Sequence, residues 1–175
     1  MLYMNPVYKQ DMCRYAFNAS MYLKILMWLF RKSQEESCLK WFYSRLFIML
    51  SRFNHLEISP FAHISGGLYI GHPFCITINP EAVLGYNVNI HKGVTIGQEN
   101  RGKRKGVPTI GNEVWIGVNS TIVGKITIGD DVLIAPNSYV NCDIPSHSVV
   151  FGNPCIVKPM ENATLGYINN KYVMC

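Results

Sequence analysis

The chain has 175 residues, 49% of them hydrophobic and 15% charged, which suffices for one domain with a sizeable core or for a repeat domain with a small helical appendage. So small a charged fraction leaves little polar surface for a free monomer, which favours an oligomer. The formal net charge is +5, but several positive charges fall in one short loop, so we do not expect a nucleic-acid-binding protein.

The cysteines show neither a CxxC pair nor a short, disulfide-dense framework, and the N-terminus lacks a signal-peptide cleavage pattern. We therefore expect reduced thiols, buried as small hydrophobic side chains, in a cytoplasmic protein. The six cysteines are Cys13, Cys38, Cys75, Cys142, Cys155 and Cys175.

Two segments near the N-terminus, 22–30 and 39–50, carry apolar residues at helical spacing and predict two amphipathic helices. Ser33 and Glu36 have the spacing of a capping box and predict the start of the second helix. Basic residues interrupt both segments, and neither reaches the length of about 20 apolar residues that spans a bilayer. We expect helix packing and trimer contacts, with a membrane-surface contact through Trp28 and Trp41 as the alternative.

Beyond these segments, aliphatic residues recur at every sixth position in three runs, separated by two breaks in phase. Helices require spacings of three and four, and a single strand alternates by two over only a few residues. A solenoid explains the period, because each coil stacks its inward aliphatic residues on the next and glycine permits a tight corner. The recurring residues are Ile58, Ile64, Ile70 and Ile76, then Leu84, Ile90 and Ile96, then Ile110, Ile116, Ile122, Ile128, Ile134 and Val140.

The block from Ile110 to Ile144 resembles the hexapeptide-repeat family, and the resemblance covers roughly residues 56–158. It implies a mainly β fold, a left-handed parallel β-helix of triangular section with three hexads per coil. We therefore divide the chain into N-terminal amphipathic helices (1–53), the β-helix (54–158) and a C-terminal tail (159–175).

The segment from Gly67 to Ile76, followed after a break in phase by Val88 to Gly97, looks like the serine acetyltransferase branch of this family. Acetyl transfer to an alcohol needs a base near the hydroxyl, and histidine is the usual one. His72 falls on the branch's catalytic base, and Glu57 falls where the branch has an aspartate that orients that base. The alternative for His72 is a turn histidine bonded to a carbonyl, and the alternative for Glu57 is a surface carboxylate.

The resemblance implies acetyl-CoA as donor, bound in a groove between neighbouring subunits of a homotrimer by backbone groups of successive coils. Lys158 lies in the closing segment that starts at Gly152, near the expected position of the CoA nucleotide, where a lysine suits phosphate. Five further positions match the family's donor-binding groove, and each is equally well explained as a coil corner. These positions are Gly97, Gly117, Val118, Ala135 and Pro136.

The stretch from Gly97 to Thr109 interrupts the hexads and carries four basic residues, among them Arg101 and Lys103. Long loops on a solenoid often carry function, so this one is either a lid that attracts phosphate or an anionic acceptor, or a solvated run of charge. His91 follows an inward aliphatic residue and should point off the coil, where it could touch donor or acceptor. His91, Arg101 and Lys103 are therefore the candidate substrate-binding residues.

The acceptor-binding residues of the branch are missing. Gly106 and Val107 stand where it has an arginine and a histidine for the carboxylate of serine, and Gly71 stands where it has an aspartate for the ammonium group. We therefore expect an acetyl-CoA-dependent O-acetyltransferase that acts on a sugar hydroxyl of a surface polysaccharide or its precursor. Serine O-acetylation is the alternative.

Two other classes of protein fit the sequence less well. A zinc hydrolyase of the same fold needs three histidines converging on the metal, and His72 and His91 have no third partner at suitable spacing. A non-catalytic β-helix scaffold should lack both a base and a lid. We therefore expect no metal, and an enzyme of the cytoplasm or of the inner face of the membrane.

Overall fold

The computed structural model describes residues 5–16 and 18–173, and Cys175 lies outside them. The other five cysteines are free thiols, but the predicted burial is wrong, because four are exposed and Cys155 is half-buried. Three helices precede a parallel β-solenoid of about five turns, which confirms the predicted fold class. The helices are α1 (Pro6–Arg14), α2 (Met21–Gln34) and α3 (Lys40–Arg52).

Helix α1 is absent from the sequence-based prediction, although its start carries a clear signal. Asn5 Oδ1 accepts hydrogen bonds from the backbone N–H groups of Val7 and Tyr8, and Pro6 occupies the first helical position. The helix lacks an apolar stripe because two of its three buried residues, Asp11 and Arg14, are charged.

The predicted capping box is wrong. Ser33 lies inside α2, where its hydroxyl donates to the carbonyl of Phe30 at 2.6 Å, so the helix continues to Gln34. Helix α3 begins later, at Lys40, without a side-chain cap. Glu36 instead pairs with Lys40 across one helical turn, at 3.0 Å.

Among the helices of the described residues, none is long and apolar enough to cross a membrane. Trp28 packs edge-on against Tyr43, with ring centroids 5.5 Å apart, so it takes part in the contact between α2 and α3. Trp41 is 69% exposed, and the membrane-surface contact stays a prediction.

The solenoid has three sheets, and each coil adds strands to them in turn. We call them sheet 1 (β1, β4, β7, β10, β13), sheet 2 (β2, β5, β8, β11) and sheet 3 (β3, β6, β9, β12, β14, β15). The strands are β1 (Glu57–Ile58), β2 (His63–Ile64), β3 (Tyr69–Gly71), β4 (Thr77–Ile78), β5 (Val83–Leu84), β6 (Asn89–His91), β7 (Thr95–Gly97), β8 (Thr109–Ile110), β9 (Trp115–Ile116), β10 (Thr121–Val123), β11 (Thr127–Ile128), β12 (Val132–Ile134), β13 (Tyr139–Val140), β14 (Ser148–Phe151) and β15 (Ile156–Pro159).

The recurring aliphatic residues form the core, as the period of six predicts. In sheet 1, Ile96 pairs with Ile122 and Ile122 with Val140, and all three side chains are fully buried. Burying an aliphatic side chain of this size contributes about 1.5–3 kcal/mol, so stacked columns of this kind stabilise the solenoid coil by coil.

Polar contacts attach helices α1 and α2 and the segment after β15 to the solenoid. The buried Arg31 guanidinium of α2 binds Asp11 of α1 at 2.7 Å and donates to the carbonyl of Ile64 at 2.7 Å. Near the C-terminus, the backbone N–H and hydroxyl of Thr164 donate to Asp131, at 3.0 and 2.7 Å. The segment after β15 therefore packs back on the coils.

Candidate functional site

His72 lies at the corner between sheet 3 and sheet 1, directly after β3. Its φ of 57° and that of Cys75, 51°, turn the chain between the two sheets. The corner is fixed by its backbone, because Phe74 O accepts from Gly93 N at 3.1 Å and Cys75 N donates to Asn54 O at 2.9 Å. An exposed imidazole is thus presented on an ordered corner, where it can meet a substrate hydroxyl.

Glu57 lies on β1, exposed on the outer face of sheet 1. Its Oε2 accepts a hydrogen bond of 3.3 Å from the hydroxyl of Thr77, the first residue after the His72 corner. Glu57, Thr77 and Gly97 line one open groove of about 740 Å³. Within the described part of the chain no hydrogen bond joins Glu57 to His72, so the orienting role of Glu57 stays a prediction.

Four of the five predicted backbone positions for the donor lie at this same corner, in later coils. A Cβ on Gly117 would lie 2.6 Å from the backbone N of Pro136, so the two coils approach too closely for a side chain there. Val118 O accepts from Asn137 N at 2.9 Å, which continues the stack. Gly97 ends β7 at the opposite margin of sheet 1 and does not join Gly117, Val118, Ala135 and Pro136.

Lys158 lies on β15, the strand that closes sheet 3. It pairs with Val149 in the antiparallel ladder, and its Nζ lies 5.4 Å from the ring centroid of Phe151. The side chain is exposed. Because β14 follows β12 in sheet 3, Lys158 lies one coil beyond the corner that begins at Ala135, and its contact with a donor stays a prediction.

The basic loop is a folded hairpin. Glu99 and Gly106 exchange two backbone hydrogen bonds, of 2.9 and 3.0 Å, and Arg104 O accepts from Lys125 N at 2.9 Å. Arg101 and Lys103 are exposed, and neither has an ion pair with another described residue. The loop follows Gly97, at the margin of sheet 1 opposite the corner that carries His72, so the two do not share a corner within one chain. The substrate-binding role of the loop stays a prediction.

His91 ends β6, one coil above Gly71, and its ring packs against Trp115 with centroids 4.7 Å apart. A Cβ on Gly71 would lie 2.6 Å from His91 Nδ1, so the ring of His91 fills the space in which a side chain at position 71 would start. Burial lowers the pKa of His91, and the neighbouring His72 lowers it further, so the ring is neutral at neutral pH.

We expect Gly71→Ala to destabilise the fold by about 1–3 kcal/mol, because the added Cβ must displace a ring held between Tyr69 and Trp115. Urea unfolding can measure this. In a His91→Ala background the same substitution should cost little, since the ring is gone. An equal cost in both backgrounds would show that His91 is not what requires the glycine.

Sequence reasoning missed Arg14 and Tyr15, which α1 brings to the outer face of sheet 3. Tyr15 stacks on Tyr69 with centroids 4.6 Å apart, and its hydroxyl accepts from Ile70 N at 2.6 Å. Arg14 Nη2 donates to Asn89 Oδ1 at 2.6 Å. The Asn5–Pro6 helix start could have indicated α1, but not what it packs against.

The zinc alternative requires a group of metal-binding side chains. Residues 5–16 and 18–173 contain no group of three histidine, cysteine, aspartate or glutamate side chains placed to hold a metal ion.

Comparison with known proteins places the chain among acyltransferases. The family model described as bacterial transferase hexapeptide (six repeats) matches residues 108–142. Serine acetyltransferase of Helicobacter pylori is 38% identical over 114 residues, 65% of this chain and 67% of that protein. Serine acetyltransferase of Staphylococcus epidermidis is 37% identical over 124 residues, 70% of this chain and 58% of that protein.

A solved structure gives the same result. Neisseria gonorrhoeae serine acetyltransferase in complex with serine aligns with a TM-score of 0.67 and 26% identity, over 87% of this chain and 67% of that one. The chain thus spans about two thirds or less of the length of these relatives.

These relatives overturn the prediction of a saccharide acceptor, which is wrong: the proteins similar to this chain are serine acetyltransferases. The prediction rested on Gly71, Gly106 and Val107, which lack side chains for an amino acid. Helix α1, which was not predicted, brings Arg14 to the outer face of sheet 3.

Proposed function

The chain belongs to the hexapeptide-repeat transferase family, in its serine acetyltransferase-like branch, and on that premise we propose that it is an acetyl-CoA-dependent serine O-acetyltransferase. The observation that carries the proposal is the position of His72. This exposed imidazole lies in the first coil, at the same corner at which Gly117, Val118, Ala135 and Pro136 stack in later coils.

In the proposed reaction, His72 accepts the hydroxyl proton of serine while the hydroxyl oxygen attacks the thioester carbonyl. The tetrahedral intermediate collapses, the C–S bond breaks, and the CoA thiolate takes the proton from the imidazolium. The products are O-acetylserine and CoA, and His72 returns neutral. Glu57, tied to the end of the corner through Thr77, is proposed to favour the protonated imidazole.

The donor is proposed to lie along the stacked corners formed by Gly117, Val118, Ala135 and Pro136, with its nucleotide towards Lys158. Backbone N–H and carbonyl groups at such corners can bind an extended pantetheine arm as a strand would be bound. We also propose a homotrimer, in which the stacked corners of one subunit and the surface of its neighbour form the groove for the donor. The low charged fraction of the chain supports it.

The test is acetyl-CoA consumption with L-serine, followed by release of the CoA thiol and by mass spectrometry of the product. We expect serine-dependent thiol release, formation of O-acetylserine, and a KM for serine below about 1 mM, as is ordinary for a true substrate.

L-Alanine is the matched control, because it lacks only the hydroxyl group. It should give no acetylated product and only the thiol release of an acceptor-free reaction. The proposal fails if thiol release with serine stays at that background level in a preparation of this chain that circular dichroism shows to be folded.

A further inference from the structure

A pocket of about 380 Å³ lies on the outer face of sheet 3, beside the His72 corner. Its walls come from α1, from β3, β6 and β9, and from the returning C-terminal segment. The wall on the side of the base is His91, whose ring contacts Gly71, the residue before His72. A ligand in this pocket would therefore lie beside the corner that carries the proposed general base.

Arg14 lines this pocket and is only 3% exposed. Its guanidinium donates to three neutral acceptors: the carbonyls of Asn169 and Gly67, both at 3.1 Å, and Oδ1 of Asn89 at 2.6 Å. Three of its five N–H groups are thereby used, which leaves two for a ligand.

No carboxylate of the described residues forms an ion pair with Arg14. The two carboxylates whose charge acts on it, Asp11 and Glu113, are bonded to Arg31 and Lys171. A buried cation without a counter-ion is costly, and an anionic ligand would relieve that cost.

His91 contributes a second unpaired group to the same pocket. Its Nε2 is buried and has no hydrogen-bond partner among the described residues. The neutral imidazole can donate to, or accept from, a ligand atom there. Tyr15, Tyr69 and Trp115 also line the pocket and supply aromatic walls.

We propose that this pocket binds the amino-acid acceptor, with Arg14 as the residue that pairs with its α-carboxylate and His91 as a second hydrogen-bonding group. The assignment rests on the proposed function. It places on α1 the positive charge that Gly106 and Val107 cannot supply, and His91, which meets Gly71, puts the acceptor beside the corner that carries His72. The volume exceeds that of one small amino acid and leaves room for bridging water.

The experiment compares kcat/KM for L-serine with kcat/KM for L-serinamide, in which a neutral amide replaces the carboxylate. The enzyme should prefer serine by about 10- to 100-fold, and Arg14→Gln should reduce that preference to near unity by raising the KM for serine. The KM for acetyl-CoA should stay unchanged. Because both acceptors are measured on the same preparation, the ratio is independent of the fraction of folded enzyme.

Lys9→Gln is the matched control, since it removes one exposed positive charge from the same helix. It should keep the preference of the unaltered enzyme. Arg14→Lys, which retains the charge, should keep part of it. If Arg14→Gln does not fold, His91→Gln tests the same pocket without removing the bonds of Arg14, and we expect it to raise the KM for serine about 10-fold.

The outcomes separate the two proposals. If the unaltered enzyme uses serine and Arg14→Gln retains the full preference for serine over serinamide, the carboxylate assignment is overturned while the proposed function stands. If the unaltered enzyme acetylates neither acceptor, the proposed function has failed, and the assignment fails with it.

Discussion

Replacing His72 by alanine is expected to lower turnover of acetyl-CoA with serine by about 10²- to 10⁴-fold, the usual contribution of a general base. The acceptor hydroxyl then has no group at the corner to take its proton, so kcat should fall. Acetyl-CoA affinity should change little, because the proposed donor contacts are backbone groups at Gly117, Val118, Ala135 and Pro136. Steady-state kinetics and calorimetric titration with CoA measure the two quantities.

His63→Ala provides the control for this variant. His63 is also exposed on the solenoid, but it lies on β2 in sheet 2 and its side chain has no hydrogen bond to any described residue. It should retain full turnover. Turnover of His72→Ala within a few-fold of the unaltered enzyme would exclude His72 as the base.

The solenoid could be predicted because its stabilising contacts repeat along the chain. Ile96, Ile122 and Val140 are fully buried and paired across coils, and the spacing of such residues is visible in the sequence. The stacked corner at Gly117 and Pro136 follows from the same repeat. Four of the predicted donor residues therefore lie together, whereas Gly97, also placed by the repeat, lies at the other margin of sheet 1.

The rest of the site depends on contacts that no local pattern contains. Arg14 donates to the carbonyl of Asn169, 155 positions later in the chain, and the pocket exists only where α1 and the returning C-terminal segment meet sheet 3. Helix α1 lacks an apolar stripe because Asp11 and Arg14 are buried by tertiary partners. Ser33 likewise matches a capping motif, yet its hydroxyl finds acceptors at Phe30 and Pro60. In α1, tertiary hydrogen bonds stand in place of an apolar stripe. At Ser33, a bond within α2 to Phe30 and a longer one to Pro60 replace the predicted cap.

The attachment of α1 leads to the largest expected effect on stability. Asp11 is fully buried and accepts two hydrogen bonds from Arg31, at 2.7 and 3.1 Å, and one from Leu68 N at 2.9 Å. Asp11→Ala leaves Arg31, itself 2% exposed, as a buried charge without its counter-ion. We expect a loss of about 3–5 kcal/mol in the free energy of unfolding.

Glu36→Ala provides the comparison, because Glu36 also pairs with a basic residue, Lys40, but is 91% exposed. Exposed pairs of this kind contribute about 0.3–0.5 kcal/mol, so this variant should unfold almost as the unaltered protein does. Urea unfolding of both variants at one protein concentration keeps any contribution of oligomerisation constant.

The double variant Asp11→Ala with Arg31→Met should recover much of the loss, since it removes the unpaired charge and keeps apolar volume. If Asp11→Ala costs no more than Glu36→Ala, the buried pair does not hold α1 to the solenoid. The placement of Arg14 beside His91 would then need another explanation.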